Sequence, residues 1–309
     1  MKIVSAYERL VVKLRTDNTA TWYLLILFIL SYSWQYVIFI TGGVESKLFP
    51  FLMFFPAIVA IVFRIITKEG FRKVGWGLRR WWYVLPAIFV PLVFSLGIVY
   101  LLEELNWATL SVFIFNEGMV YSKVPLVLGN QTQSIAFFSI NLAVSFIGIC
   151  IISSFFAFGE EFGWRGYLQE KLLRKFGLNW GLIILGIIWG YWHLPIILMG
   201  YNFPNHPVLG ALLLMPISTI FAGIFEGWIY LRSRSIWMPV LVHASGNAAA
   251  GILFGGMIMH QNESFRQLIW LAAWGIVAAL CLISVNRNKP ILWQQPDAHA
   301  HRNHFSEPK

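Results

Sequence analysis

The stretch that decides the fold is residues 135–168, IAFFSINLAVSFIGICIISSFFAFGEEFGWRGYL. From Ile135 to Phe158 it carries no Asp, Glu, Lys or Arg. It exceeds the roughly 20 apolar residues that a helix needs to cross a bilayer core. It then runs directly into Glu160, Glu161 and Arg165. A charge at a membrane helix centre costs about 2.5 to 3.5 kcal/mol on insertion scales, so acids attached to such a segment read by default as functional. Glu161 and Arg165 stand at i and i+4 with the acid first, the orientation that favours an ion pair. Glu160 is rotated by about 100° and faces a different neighbour. Glu103-Glu104, at the end of another apolar stretch, has no arginine one turn on and reads as an interfacial cap.

The same pattern extends outward along the chain. It is 58% hydrophobic and 12% charged, with a mean hydropathy of +0.67, which excludes an ordinary soluble domain. The apolar stretches are near-continuous rather than alternating, which disfavours a membrane β-barrel. Eight spans are predicted, at about 22–40, 49–66, 82–102, 135–159, 181–200, 208–230, 236–258 and 268–285. The expected fold is therefore an all-α polytopic membrane bundle. The first apolar segment is too long for a signal peptide and no small-residue cleavage site follows it. Twenty of the 23 basic residues fall on one side of these spans, and only Lys47, Lys123 and Arg266 on the other. The positive-inside rule then places both termini in the cytoplasm, with the protein in the cell membrane. The net charge of +9 is a topology signal on this reading, and nucleic acid is not an expected partner. Cys150 and Cys281 fall inside spans and read as small buried residues.

Residues 1–21 combine apolar residues at helical spacing with Lys2, Arg9, Lys13 and Arg15, as in a helix lying on the cytoplasmic leaflet. Residues 22–285 form one membrane domain, and 286–309 a polar cytoplasmic tail. The basic, aromatic linker 67–81 suits a loop at lipid head groups. The connection 103–134 is not plainly polar and is expected to be re-entrant or to cap the bundle. From Phe162 to Phe176, Leu168, Leu172 and Phe176 share one face and Gln169, Glu170, Lys171 and Arg174 another. Span 4 should therefore continue as an amphipathic helix until Gly177 ends it.

Two further spans hold polar groups. One contains Trp189 and His193. A lone membrane histidine is commonly a packing residue. The other contains His243 and Asn247, one helical turn apart, where both side chains can donate to one developing oxyanion. Pro239 precedes them and is expected to loosen that helix. Glu226, in Ile-Phe-Glu-Gly-Trp, is another acid in an apolar stretch, packed as a neutral group or bordering the site.

Glu160-Glu161-x-x-x-Arg165, Trp189-x-x-x-His193 and His243-x-x-x-Asn247, in that order, resemble the motifs of the CPBP family of intramembrane proteases, also called the Abi or type II CAAX-protease family. The resemblance spans about 155–250, within a core of about 135–258. It implies hydrolysis of a peptide bond in a membrane-associated protein or peptide, prenylated or otherwise lipid-anchored in some members. Glu160 would activate water with His193 as partner, His243 and Asn247 would stabilise the oxyanion, and Glu161 with Arg165 would brace the site. In a zinc version Glu160, His193 and His243 would be ligands. The metal-free version is favoured, because the compact His-Glu-x-x-His arrangement is absent. The alternatives are a non-catalytic scaffold or bacteriocin-immunity-type protein that keeps the motif, and, less favoured for want of repeated halves, a proton-coupled transporter. Depth poses a condition. At 1.5 Å per residue His193 falls about 18 Å along its span and His243 about 10 Å, so Glu160 must sit deeper than the end of span 4 for the three to meet.

Overall fold

A computed structural model describes residues 18–78, 80–124, 126–254, 257–260 and 263–287. The segment before Asn18 and the tail beyond Arg287 lie outside the described residues. The main helices are α1 Thr19–Ile40, α2 Phe55–Ile66, α3 Val84–Glu104, α4 Ile135–Gly163, α5 Gln169–Phe176, α6 Leu178–Trp192, α7 Leu194–Leu198, α8 Met215–Ser233, α9 Trp237–Phe254 and α10 Glu263–Arg287. Among the described residues, seven helical runs are long and apolar enough to cross a membrane. On α4, Ile140, Val144, Ile147, Ile151 and Phe155 are all exposed and recur every three or four residues, an outward apolar stripe of the kind that faces lipid. The protein is a multi-pass membrane protein.

One expected span is corrected. The fifth of the eight expected spans is not one long helix: α6 has 15 residues and breaks at His193, and α7 adds five. Pro195 has no N–H to return to Tyr191 O, and that carbonyl instead accepts the Tyr32 hydroxyl at 2.6 Å. Gln35 of α1 inserts its amide between the next pair, donating to Trp192 O at 3.0 Å and accepting from Ile196 N at 2.9 Å. A break at membrane depth survives because a neighbouring helix satisfies the freed groups. The helical membrane bundle is as expected, and short strands add a cap to it. The connection after α3 holds short strands β1 Ala108–Leu110, β2 Phe113–Asn116, β3 Met119–Ser122 and β4 Thr132–Ser134. The antiparallel β2–β3–β4 sheet caps one end of the bundle, and β1 pairs with β5 Met257–Met259, where span 7 was expected to continue as helix.

Span 4 does continue as expected. Ile135–Phe176 is one run of 42 residues, with α4 and α5 joined by a π-helical turn, Trp164–Leu168, and a stop at Gly177, whose φ of +78° suits glycine. Glu160 therefore lies 16 residues, about 24 Å, before the end of the run. Gln169, expected on the polar face of α5, is buried and reaches Gly227 O.

Glycine sets how closely the central helices approach. A Cβ on Gly186 would fall 2.4 Å from Ile220 Cα, and one on Gly190 2.5 Å from Pro216 Cα, so α6 and α8 meet backbone to backbone. Proline fixes a second contact. Pro91 inside α3 leaves Ala87 O without its helical donor, and Ser245 Oγ of α9 supplies one at 2.9 Å. Pro239 does not loosen α9, contrary to expectation, because it falls in the first turn, where a missing N–H costs no helical bond.

Candidate active site

The site gathers on four elements: the end of α4, the end of α6, the middle of α8 and the middle of α9. Glu160 is 2% exposed, and its Oε2 accepts the indole N–H of Trp189 at 2.7 Å and of Trp164 at 3.3 Å. These groups can only donate, so they orient the carboxylate and leave Oε1 for another partner. Glu161 is fully buried. Its Oε1 accepts Arg165 Nη1 at 2.8 Å and meets His243 Nδ1 at 2.9 Å. The i, i+4 pair read from the sequence is thus formed, and it also holds an imidazole from α9.

Trp189, the aromatic of the second motif, is a hub. Besides binding Glu160 it lies under the Arg165 guanidinium, 4.6 Å from ring centroid to Cζ, and 5.5 Å from the His243 ring. Its carbonyl oxygen meets His193 Nδ1 at 2.9 Å. A carbonyl only accepts, so His193 carries a proton on Nδ1, and in its neutral form the ring presents Nε2 as an acceptor. The same logic applied to His243, with Nδ1 on an ionised Glu161, leaves Nε2 able to donate to an oxyanion only as imidazolium. This refines the sequence expectation, in which His243 and Asn247 donate alike.

Glu160, His193, His243 and Asn247 all line one cavity of about 850 Å³, so the helix geometry brings the whole sequence-derived set together. Arg165 is buried behind it, 1% exposed. Glu226 also lines the cavity and pairs with Arg165 Nη2. Sequence reasoning noticed this acid without finding its partner, which lies 61 positions earlier. Away from the polar groups the walls are apolar and aromatic, including Phe156, Phe254, Trp270 and Trp274. Such a lining suits an extended, partly apolar ligand.

The zinc alternative can be tested on the donor set. Among the described residues, the acid and imidazole group whose ligand atoms lie within 4.8 Å of one another is Glu161, Glu226 and His243, not Glu160, His193 and His243. Arg165 already sits against both acids of that group. Even one unit charge 4 Å from a guanidinium is opposed by about 4 kcal/mol at an effective dielectric of 20. The gathered Glu161, Glu226 and His243 group is thus already engaged by Arg165 in this arrangement.

Comparison with known proteins agrees with the motif resemblance. Residues 139–249 match the family model described as type II CAAX prenyl endopeptidase Rce1-like. A CAAX prenyl protease 2 from Methanococcus maripaludis is 29% identical over 108 residues, 33% of this chain and 40% of the relative. The match to this relative therefore spans less than half of either protein, and the family model falls on the segment that builds the site. Over residues 139–249 the chain is thus similar to type II CAAX prenyl endopeptidases of the Rce1-like kind, in agreement with the resemblance its motifs carry.

Proposed function

We propose that the protein is an intramembrane endopeptidase that hydrolyses a peptide bond of a membrane-associated, prenylated or otherwise lipid-anchored protein or peptide. The observation that carries this reading is the meeting of Glu160, His193, His243 and Asn247 on one cavity with apolar walls. Water attacks the scissile carbonyl carbon while its proton passes to Glu160, whose other oxygen is held by two indoles. His193 Nε2 accepts a hydrogen bond from the same water and orients it. The carbonyl oxygen becomes an oxyanion, which Asn247 and a protonated His243 stabilise. Collapse breaks the C–N bond, and the proton held on Glu160 leaves with the amine. In this reading the reaction needs no metal, and both termini face the cytoplasm.

The test uses purified full-length protein in lipid nanodiscs, a farnesylated peptide, its unprenylated counterpart, and mass spectrometry of the products. Cleavage of the farnesylated peptide is expected to survive a strong chelator. Activity lost to chelation and restored by zinc would overturn the metal-free mechanism. No cleavage of either peptide would favour the scaffold reading. Reporter fusions after Asn205 should read outside and fusions after Lys289 inside, and the reverse would invert the topology.

A further inference from the structure

Resting on the hydrolytic reading above, we propose that Glu226 is a positioning residue of this site. It pairs with the Arg165 Nη that Glu161 leaves free and so holds both Glu160 and His243 in place. Glu226 is 3% exposed on α8 and pairs with Arg165 Nη2, while Nη1 is on Glu161. Neither Glu226 Oε2 nor Arg165 Nη2 has any other partner among the described residues, so each is committed to this contact.

A guanidinium is a rigid plane with donors on fixed bearings. One carboxylate leaves it free to swing about that contact, whereas carboxylates on both Nη atoms fix the plane. Two branches depend on that plane. Through Nη1 it holds Glu161, which meets His243 Nδ1. Through its stacked face it holds the Trp189 ring, whose Nε1 binds Glu160. The Arg165–Glu161 pair is already neutral, and burying a further carboxylate carries a desolvation penalty. Glu161 is shared between Arg165 and His243, so Glu226 gives the guanidinium a carboxylate of its own.

The test measures kcat and KM separately for wild type, Glu226→Gln and Glu226→Asp in nanodiscs with the farnesylated peptide. Folding is followed by thermal melting of tryptophan fluorescence, and Glu170→Gln, in an exposed pair with Arg174, serves as control. Glu226→Gln should keep KM and lower kcat roughly ten- to a hundred-fold, the range seen when a group that orients a functional imidazole is removed. Glu226→Asp should fall between. On an Arg165→Lys background Glu226→Gln should cost less than in wild type, because both act through one guanidinium. Folded Glu226→Gln with wild-type kcat, or an effect fully additive with Arg165→Lys, would overturn the proposal. If Glu226→Gln does not fold, Glu226→Asp decides: a lowered kcat at unchanged KM supports the proposal and wild-type kcat overturns it. A wild type that cleaves nothing removes the hydrolytic reading and this proposal with it, whereas an active wild type with an unaffected Glu226 variant removes only the latter.

Discussion

Glu103-Glu104 and Glu160-Glu161 are both adjacent acids attached to an apolar stretch, and the fold treats them in opposite ways. The first pair is exposed at the end of α3, where Glu103 Oε1 accepts Leu110 N at 2.7 Å and fastens the turn into β1. The second is buried, with partners from α6 and α9 as well as one turn along its own chain. Their neighbours make the difference. Gly159 and Gly163 flank the buried pair, and Cβ atoms there would fall 2.5 Å from Met53 O and 2.4 Å from Pro56 Cβ, so only glycine lets the segment around α2 close over them. Leu102 and Leu105 bracket the exposed pair. An acid in a hydrophobic sequence is a site when small residues beside it allow other helices to approach.

That contrast can be broken by substitution. Glu160→Gln keeps size and both indole contacts but cannot take a proton, so turnover should fall about 10²- to 10⁴-fold with the melting temperature nearly unchanged. Asn247→Ala should cost about 10²- to 10³-fold in kcat if its amide supplies an oxyanion donor. Both are read from product formation at saturating peptide, and full activity in either would remove that residue from the reacting set. Arg165→Ala leaves two carboxylates buried without their cation, so stability should drop by about 3 to 5 kcal/mol and folded yield with it. Gly186→Ala forces α6 and α8 apart and should cost about 1 to 3 kcal/mol, measured by the same melts. Glu103→Gln should change stability by about 0.5 kcal/mol or less and leave cleavage alone. A large loss of activity there would erase the distinction between the two pairs.

Much of this was legible because it is local. Hydropathy gives the helices, and the i, i+4 spacing gives the Glu161–Arg165 pair and the shared face of His243 and Asn247. What was hidden depends on contacts between elements distant in the chain. Gln35 bridging the break at His193, Trp189 binding Glu160 and Glu226 meeting Arg165 each join helices whose mutual placement no short window encodes. The π-helical turn at Trp164–Leu168 has no hydropathy signature, and the β1–β5 pair joins residues nearly 150 positions apart. The depth condition was met by the length of the α4–α5 run, which the basic face of α5 had already suggested.

The most direct test is the structure of Glu160→Gln with an uncleaved farnesylated peptide, since that variant retains the shape of the site without turnover. The account predicts the scissile carbonyl carbon beside residue 160, with its oxygen about 2.7 to 3.1 Å from donors on Asn247 and His243. A peptide bound outside the cavity lined by these residues, or one whose scissile bond lies beyond their reach, would contradict it.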